Sequence, residues 1–333
     1  MNRPDTALAG SSAIVRLADH AHEKYQRDIQ DCDESIARRA GLDYIAHITS
    51  GIWDFSVHFP APELRSESFE KAARQLSLIV ARIDATADQL DSGPLIRVVV
   101  QGNHGALFHM LKVAGQNFFA VTMDGARETV NKADRALAQI VDSAARRVGS
   151  PSLLWGGYRN RQGTGDLWLP GATVLLDEYP VRSASAAGLQ PVPEEVARRC
   201  RDVLDVNEIH FLAIYRHDTL VWRADLFADR ALASFFQRAT PASRRRGYDK
   251  VIRQVTMQTG RIMQLLALVR SDVLTRLVLD VARGAIYVLP LGDREHYLVG
   301  VTLVQAQVAN ADSKMTALHD ELATVYCPGG SLA

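Results

Sequence analysis

The histidines are the first side chains in this chain of 333 residues to test for metal or acid–base chemistry, since it has ten of them. The nearest pairs are His47 with His58 and His104 with His109. His47 and His58 fall on separate strands of a predicted hairpin, and His104 and His109 flank a turn at Gly105. No cysteine or paired carboxylate lies near either pair to complete a tetrahedral site. The spacing therefore favours ordinary strand and turn histidines and predicts no metal site.

Two other stretches suggest nucleotide or nucleophile chemistry. Residues 160 to 168, NRQGTGDLW, have the glycines of a phosphate-binding loop but lack the Lys-Ser/Thr that a P-loop requires, so we expect a flexible hairpin. Cys200 follows two arginines, which could lower its thiol pKa. Its aligned residue in an internal repeat is Ala40 and its position is helical, so we expect a buried structural thiol. With no GxSxG elbow either, the sequence predicts no catalytic residue and no cofactor.

One basic cluster stands at the start of a predicted long helix: Arg244, Arg245, Arg246, Lys250 and Arg253. Such a cluster is typical of a solvated helix start, and the alternative is a docking patch for an acidic partner or a phosphate group. If Arg244, Arg245 and Arg246 dock a partner, charge reversal at Arg245 and Arg246 should slow association and leave thermal stability nearly unchanged.

Composition limits the remaining classes of function. The formal charge is +0, which favours neither nucleic acid nor an anionic membrane as a partner. The three cysteines are scattered and form no CxxC pair, which indicates a reducing compartment. No stretch approaches the roughly 20 apolar residues of a membrane span, and the N-terminus lacks a signal-peptide core. We expect a soluble, cytoplasmic protein.

The elements that would position any site occur twice. Residues 95 to 111, LIRVVVQGNHGALFHML, return 179 positions later as LTRLVLDVARGAIYVLP. Both segments are rich in β-branched residues and contain a glycine turn, and each is followed by a third apolar run, so both halves predict a three-stranded meander. A helical stretch follows each meander, and the two share Asn131 with Asn310 and Asp134 with Asp312.

A long helix precedes each meander, at 66 to 91 and at 248 to 270. Apolar residues recur there every four then three positions, which keeps them on one stripe of a helix. Further upstream, each half has a hairpin, with Trp53 and Trp222 in the same place, and a short helix. Each copy therefore predicts helix, two strands, long helix, three strands, helix.

Residues 149 to 193 interrupt the repeat with Gly, Pro and Ser, yet they contain Trp155, Tyr158, Trp168 and the run ATVLLDEY. This is too much apolar surface for a solvated tether. We expect the insert to pack on a domain, with an extra strand as one option and only SASAAGLQ loose.

This order of elements resembles the roadblock family, named for a dynein light chain and related to longin and profilin-like folds. The resemblance implies an α+β protein of two tandem domains, at 20–148 and 194–326, separated by the insert at 149–193. In each, a five-stranded antiparallel sheet would have the long helix on one face and the terminal helices on the other. The family implies a non-enzymatic scaffold for a protein partner, with a small Ras-like GTPase as one candidate. A GAF-like or PAS-like small-molecule sensor is the alternative.

The strict 3.5-residue spacing of both apolar stripes indicates helices that face another helix. We therefore expect the two long helices to meet counterparts across a two-fold or pseudo-two-fold interface, with strands 95–101 and 274–281 paired alongside. The pairing would be a homodimer or an internal pseudo-dimer. The predicted interface residues are Leu76, Ile83, Ile252, Val255, Ile262 and Leu266, together with the three arginines above.

Overall fold

A computed structural model describes residues 6–7, 13–21, 24–60, 66–158, 182–185, 192–292 and 295–326. The predicted loop at 160–168, the run ATVLLDEY and Cys327 lie outside the described residues. The described chain is a mixed α+β protein whose strands pair in antiparallel fashion.

The first half of the chain contains a hairpin, a meander and three helices. In chain order its elements are β1 (Thr6–Ala7), β2 (Ile14–Leu17), α1 (Gln26–Ala37), β3 (Tyr44–Thr49), β4 (Ile52–His58), α2 (Ser66–Ala87), β5 (Leu95–Gly102), β6 (Ala106–Val113), β7 (Gln116–Thr122) and α3 (Arg127–Arg147).

The second half repeats this order. Its elements are β8 (Arg182–Ser185), α4 (Glu194–Val203), β9 (Phe211–Arg216), β10 (Thr219–Asp225), α5 (Pro241–Leu266), β11 (Leu274–Val281), β12 (Gly284–Pro290), β13 (His296–Thr302) and α6 (Val308–Tyr326). The long helix α5 begins seven residues earlier than the sequence indicated, at Pro241, because a proline suits the first turn of a helix, where its missing N–H has no intrahelical partner.

The chain forms two compact units, and each draws on both halves of the sequence. The first comprises Met1–Arg82, Ile96–Tyr158 and Gln258–Thr275, and the second comprises Ile83–Leu95, Arg159–Met257 and Arg276–Ala333. The C-terminal end of each long helix thus belongs to the unit built mainly from the other half. The predicted domains at 20–148 and 194–326 do not include this exchange, and their boundaries stay a prediction.

Hydrogen bonds within each unit hold the exchanged ends in place. In the first unit, Thr275 Oγ1 donates to the carbonyl oxygen of Gln101 at 3.1 Å. In the second, the backbone N–H of Ala282 donates to Pro94 at 3.0 Å and Lys250 Nζ donates to Gln89 Oε1 at 2.6 Å. The segments that follow both long helices therefore lie beside the strands that the sequence analysis paired, while pairing along the whole length of the strands and helices stays a prediction.

The sheets contain more than the five strands predicted for each copy. The strand order is β1-β2-β4-β3-β7-β6-β5 in the first unit and β11-β12-β13-β9-β10-β8 in the second. The additional strands β2 and β8 pair with β4 and β10 and come from segments upstream of the predicted domains. Part of SASAAGLQ, expected to be loose, therefore forms a strand. Four-residue edge strands have too few residues to show a clear alternating pattern.

The long helix and the terminal helices contact each sheet as the two-layer pattern requires. Phe69 of α2 packs on Tyr44 of β3 with ring centroids 5.2 Å apart, and Tyr248 of α5 packs on Phe211 of β9 at the same distance. Helices α1 and α3 contact each other in the first unit, as α4 and α6 do in the second. The same aromatic contact thus recurs with its Phe and Tyr exchanged.

Both hairpins carry a β-bulge at the same point, which corrects the alignment of the two tryptophans. His47 pairs with Phe55 and Ile48 with Trp53, so Asp54 is the extra residue. In the second hairpin Ile214 pairs with Trp222 and Tyr215 with Leu220, so Val221 is the extra residue. Trp222 therefore corresponds to Phe55, and the prediction that it occupies the place of Trp53 is wrong. Because both copies have the bulge, the hairpins align without a gap, Tyr44 with Phe211 and His58 with Asp225, and the two tryptophans differ by two positions in that alignment.

An ion pair joins the meander to the following helix in both copies, and it is buried in the first copy and partly buried in the second. Arg97 Nη1 lies 2.6 Å from Asp134 Oδ2, and Arg276 Nη1 lies 2.8 Å from Asp312 Oδ2. The sequence repeats the arginine and the aspartate at separate positions in the two copies, and the structure brings them together as an ion pair in each copy.

Candidate functional site

The six apolar residues predicted at an interface are all buried within this chain, none more than 6 % exposed. Leu76, Ile262 and Leu266 belong to the first unit, whereas Ile83, Ile252 and Val255 belong to the second. Because these side chains already pack inside the single chain, they are not surface available for a second chain. The proposed pairing of the long helices therefore remains open only in its internal form.

The predicted arginine patch is largely structural. Arg244 is 1 % exposed, donates from Nη2 to the backbone oxygen of Phe235 at 2.8 Å, and lies over the Phe236 ring. Arg245 makes two hydrogen bonds of 2.7 Å to the buried carboxylate of Asp225, which raises the pKa of its guanidinium. Burial of Arg244 and the ion pair of Arg245 contradict the expectation that charge reversal here would leave folding unchanged.

Of the three predicted arginines, only Arg246 is exposed to solvent. Its neighbours on the outer side of the helix, Lys250 and Arg253, are exposed as well. The solvent-facing cations at this end of the second unit therefore follow the outer side of α5 rather than its first turn.

The outer sides of the two long helices carry the same residue types at equivalent positions. Aligned with the offset of the opening repeat, α2 and α5 have the same or similar residues at five positions on this side, although other exposed positions, such as Glu67 and Arg246, differ. We call these two sets the outer helix faces: Lys71, Arg74, Gln75, Leu78 and Arg82 in α2, and Lys250, Arg253, Gln254, Met257 and Arg261 in α5.

Each outer helix face has one large apolar side chain among its cations. Leu78 is 62 % exposed and Met257 is 75 % exposed. Small residues, Ala81 and Gly260, follow three positions later in both helices and leave space beside the apolar side chain. An added Cβ at Gly260 would meet nothing within 4 Å. This combination presents a shallow apolar spot inside a basic surface.

A second candidate is the polar network around the first bulge. Asp54 Oδ2 accepts from His47 Nδ1 and from Thr49 Oγ1, both at 2.7 Å, and Asp54 Oδ1 lies 2.9 Å from His20 Nε2. Tyr25 extends the network through Thr49 at 3.2 Å. Burial tends to raise the pKa of Asp54, but the hydrogen bonds from His47, Thr49 and His20 outweigh it and lower that pKa.

The network resembles an acid–base dyad in geometry, but its imidazole is enclosed. His47 is fully buried, burial lowers its pKa, and its Nε2 atom is also buried without a hydrogen-bond partner among the described residues. The second bulge has Ile214 and Val221 in place of His47 and Asp54, so the fold accommodates apolar residues there. A proton acceptor that no substrate reaches cannot act as a general base in this conformation.

Further histidines and Cys200 are also enclosed, including His210, which the sequence analysis did not single out. His109 and His210 are buried, and burial lowers the pKa of each imidazole to about 4. Cys200 is buried, as expected for a structural thiol, and burial raises its pKa to about 12. No three His, Cys, Asp or Glu side chains of the described residues group in a way that could hold a metal ion.

Cavities in the two units differ in size and setting. An open cleft of about 550 Å³ in the first unit is lined by His104, Asp124 and Arg270 beside the start of α3, and a second of about 750 Å³ runs along α3. In the second unit, a cavity of about 10 Å³ lies between α5 and the sheet, next to Tyr248 and Ile286. A space of that size holds one water molecule at most.

No family model, curated protein or solved structure matches this chain. Across the described residues, we find no helix that combines the length and the hydropathy needed to cross a membrane.

Proposed function

We propose that this chain is a non-enzymatic scaffold that binds a protein partner through two roadblock-like domains. The observation that carries the proposal is the pair of outer helix faces, which keep the same exposed residue types although the buried residues beneath them differ. A small Ras-like GTPase is one partner that the family resemblance suggests.

The form of the surface favours a macromolecule over a small molecule. Residues such as Leu78 and Met257 stand on the outer side of a helix, where they offer an extended surface rather than an enclosure. Small-molecule sites are usually concave and enclose most of the ligand. A sensor of the GAF or PAS type would hold its ligand between sheet and helix, and the cavity at that place among the described residues of the second unit measures about 10 Å³.

The experiment is capture of partners from a lysate of the cells that make this protein, with the purified full-length chain immobilised. We expect a protein retained in stoichiometric amount by the native chain and lost when Leu78→Ser and Met257→Ser are combined. The matched control is Val148→Ser, which removes another exposed apolar side chain, one that is 56 % exposed and lies outside both outer helix faces.

Native mass spectrometry of the same preparation separates the two classes of function. A stoichiometric bound metabolite, with no protein retained by the native chain, would support the sensor and contradict the scaffold. Equal capture by the native chain and the double serine variant would leave a scaffold but remove the outer helix faces as its binding surface.

A further inference from the structure

We infer that each outer helix face docks an acidic protein segment, so that one chain has two equivalent sites. The inference rests on the proposed scaffold function and specifies its partner chemistry and stoichiometry. It is carried by the charges of the two faces, the direction of the neighbouring carboxylates, and the repetition of the whole arrangement.

Both faces are basic over their whole length. From Lys71 to Arg82 and from Lys250 to Arg261 the sequence contains no acidic residue, whereas three cations occur in each stretch. Two of them lie three positions apart, a spacing that brings like charges together on a helix and destabilises it by a few tenths of a kcal/mol, about 0.2–0.5 per pair. Glu70 and Asp249 stand four positions before Arg74 and Arg253 and offset part of this repulsion within each helix. The three cations nevertheless recur at the same places in both helices, and this repetition indicates a binding role.

One carboxylate beside each face bonds to a strand of its own unit. Glu70 lies 2.5 Å from Arg16 Nη1, and Asp249 accepts a hydrogen bond from Tyr215 at 2.6 Å. On the outer side, Lys250 Nζ donates to Gln89 Oε1 at 2.6 Å and Arg261 Nη1 donates to Gln258 Oε1 at 3.3 Å, and both acceptors are neutral. These two hydrogen bonds therefore leave the positive charge of Lys250 and Arg261 unneutralised.

The identities between the two helices concentrate on this outer side. Over the aligned stretches 69–90 and 248–269, identical residues occur at five places: Lys71 and Lys250, Arg74 and Arg253, Gln75 and Gln254, Arg82 and Arg261, and Ile83 and Ile262. Only the last pair is buried. The exposed position between the second and third cation of each face is apolar, Leu78 in α2 and Met257 in α5. This fits a partner that places an apolar side chain between carboxylates.

An anionic membrane is the other partner that a basic face could fit. Helices that lie on membranes bury a broad apolar side with several large residues. Here each outer helix face has a single large apolar residue, Leu78 or Met257. A protein segment with one apolar anchor and flanking carboxylates is therefore the better match.

The test is isothermal titration calorimetry of the full-length chain with a synthetic amphipathic peptide whose leucines are flanked by glutamates. The matched peptide has lysine at every glutamate position. We expect two glutamate peptides to bind per chain, binding to weaken as salt rises, and the lysine peptide not to bind. Arg74→Glu alone or Arg253→Glu alone should reduce the stoichiometry from two to one, and the combined variant should weaken binding at least tenfold at both sites.

Two controls keep the result interpretable. Arg38→Glu reverses another exposed arginine, whose side chain is 77 % exposed, and should leave both sites intact. Arg74→Gln with Arg253→Gln removes charge without adding repulsion, and circular dichroism should show an unchanged helix signal and melting temperature.

Several results would overturn the inference. They are binding that persists in the combined arginine variant, equal binding of the lysine peptide, or binding to phosphatidylcholine–phosphatidylserine vesicles without binding to the glutamate peptide. If lysate capture is unaffected by the combined variant while these peptide results fail, the scaffold function stands and the acidic docking sites do not. If no partner is captured at all, the scaffold proposal fails first.

Discussion

Buried neutral histidines should make this protein lose stability in mild acid. The exposed fractions of His109 and His210 are 3 % and 0 %, and burial lowers the pKa of each to about 4. His210 is also fixed as a neutral tautomer, because its Nδ1 accepts from the backbone N–H of Leu303 at 3.1 Å and its Nε2 donates to the backbone oxygen of Val206 at 2.9 Å. A proton on Nδ1 would face that N–H.

The sign follows from which state binds the proton. Below its ordinary pKa of about 6.5 an exposed histidine in the unfolded chain is protonated, while the buried imidazole with a pKa near 4 is not. The unfolded state therefore binds more protons, and the free energy of unfolding falls as pH decreases from about 6.5 towards 4. At pH 5 each group should cost about 2 kcal/mol relative to pH 8, so the two together cost about 4 kcal/mol.

The measurement is urea unfolding followed by circular dichroism at pH 8 and pH 5, for the native chain and two variants. His109→Val introduces the residue that the second copy has at the aligned position, Val288, and His210→Asn keeps an acceptor for the Leu303 N–H without titrating. Each variant should lose about 2 kcal/mol less than the native chain between the two pH values. His217→Asn, which changes a histidine at the exposed turn of the second hairpin, is the control and should lose as much as the native chain.

The reasoning would be refuted if both variants kept the full pH dependence of the native chain. That outcome would mean that the acid sensitivity comes from the carboxylates. Asp54 is such a group, since its lowered pKa also predicts stability that is lost as pH falls through that pKa.

Two further predictions concern buried ion pairs. Arg245→Glu should destabilise the protein by about 3–5 kcal/mol, because it leaves the carboxylate of Asp225 buried beside a second negative charge. Arg246→Glu, at the exposed neighbour, should change the free energy of unfolding by no more than about 0.5 kcal/mol. Thermal melting of the two variants checks both values. Asp134→Ala should cost a similar amount, about 3–5 kcal/mol in urea unfolding, because it leaves Arg97 buried without its carboxylate, and an unchanged midpoint would show that the pair contributes nothing.

Much of the secondary structure could be predicted because it rests on short-range periodicity. The helix predicted at 66 to 91 is present as α2 and a following 3-10 turn, and the hairpin turn at Ser50-Gly51 has the positive φ angles, 49° and 80°, that such a turn requires. Strands β2 and β8 were missed because four residues are too few to show a reliable period.

The polar network around Asp54 could not be predicted, because it depends on a bulge that changes which residues meet. The sequence places His47 and Asp54 on opposite strands, but only the register shift brings the carboxylate to His47 Nδ1 at 2.7 Å. The arginine patch was misjudged for another reason. The helix was expected to begin at residue 248, but it begins at Pro241. Arg244 stands four residues before Tyr248 and therefore lies on the buried side of the helix.

The outer helix faces were missed although the sequence contained their signal. The comparison of the long helices used only their apolar stripes, which face the core and contain Ala73 in α2 and its counterpart Ile252 in α5. A buried side chain can change if a neighbour compensates its volume, since a core constrains total volume more than the identity at one position. An exposed side chain has no such volume constraint. That both helices have an arginine at the aligned positions Arg74 and Arg253 therefore needs another explanation. When two repeated helices differ in their buried side chains but share their exposed ones, the exposed surface is therefore a candidate binding surface, and a single sequence is enough to show it.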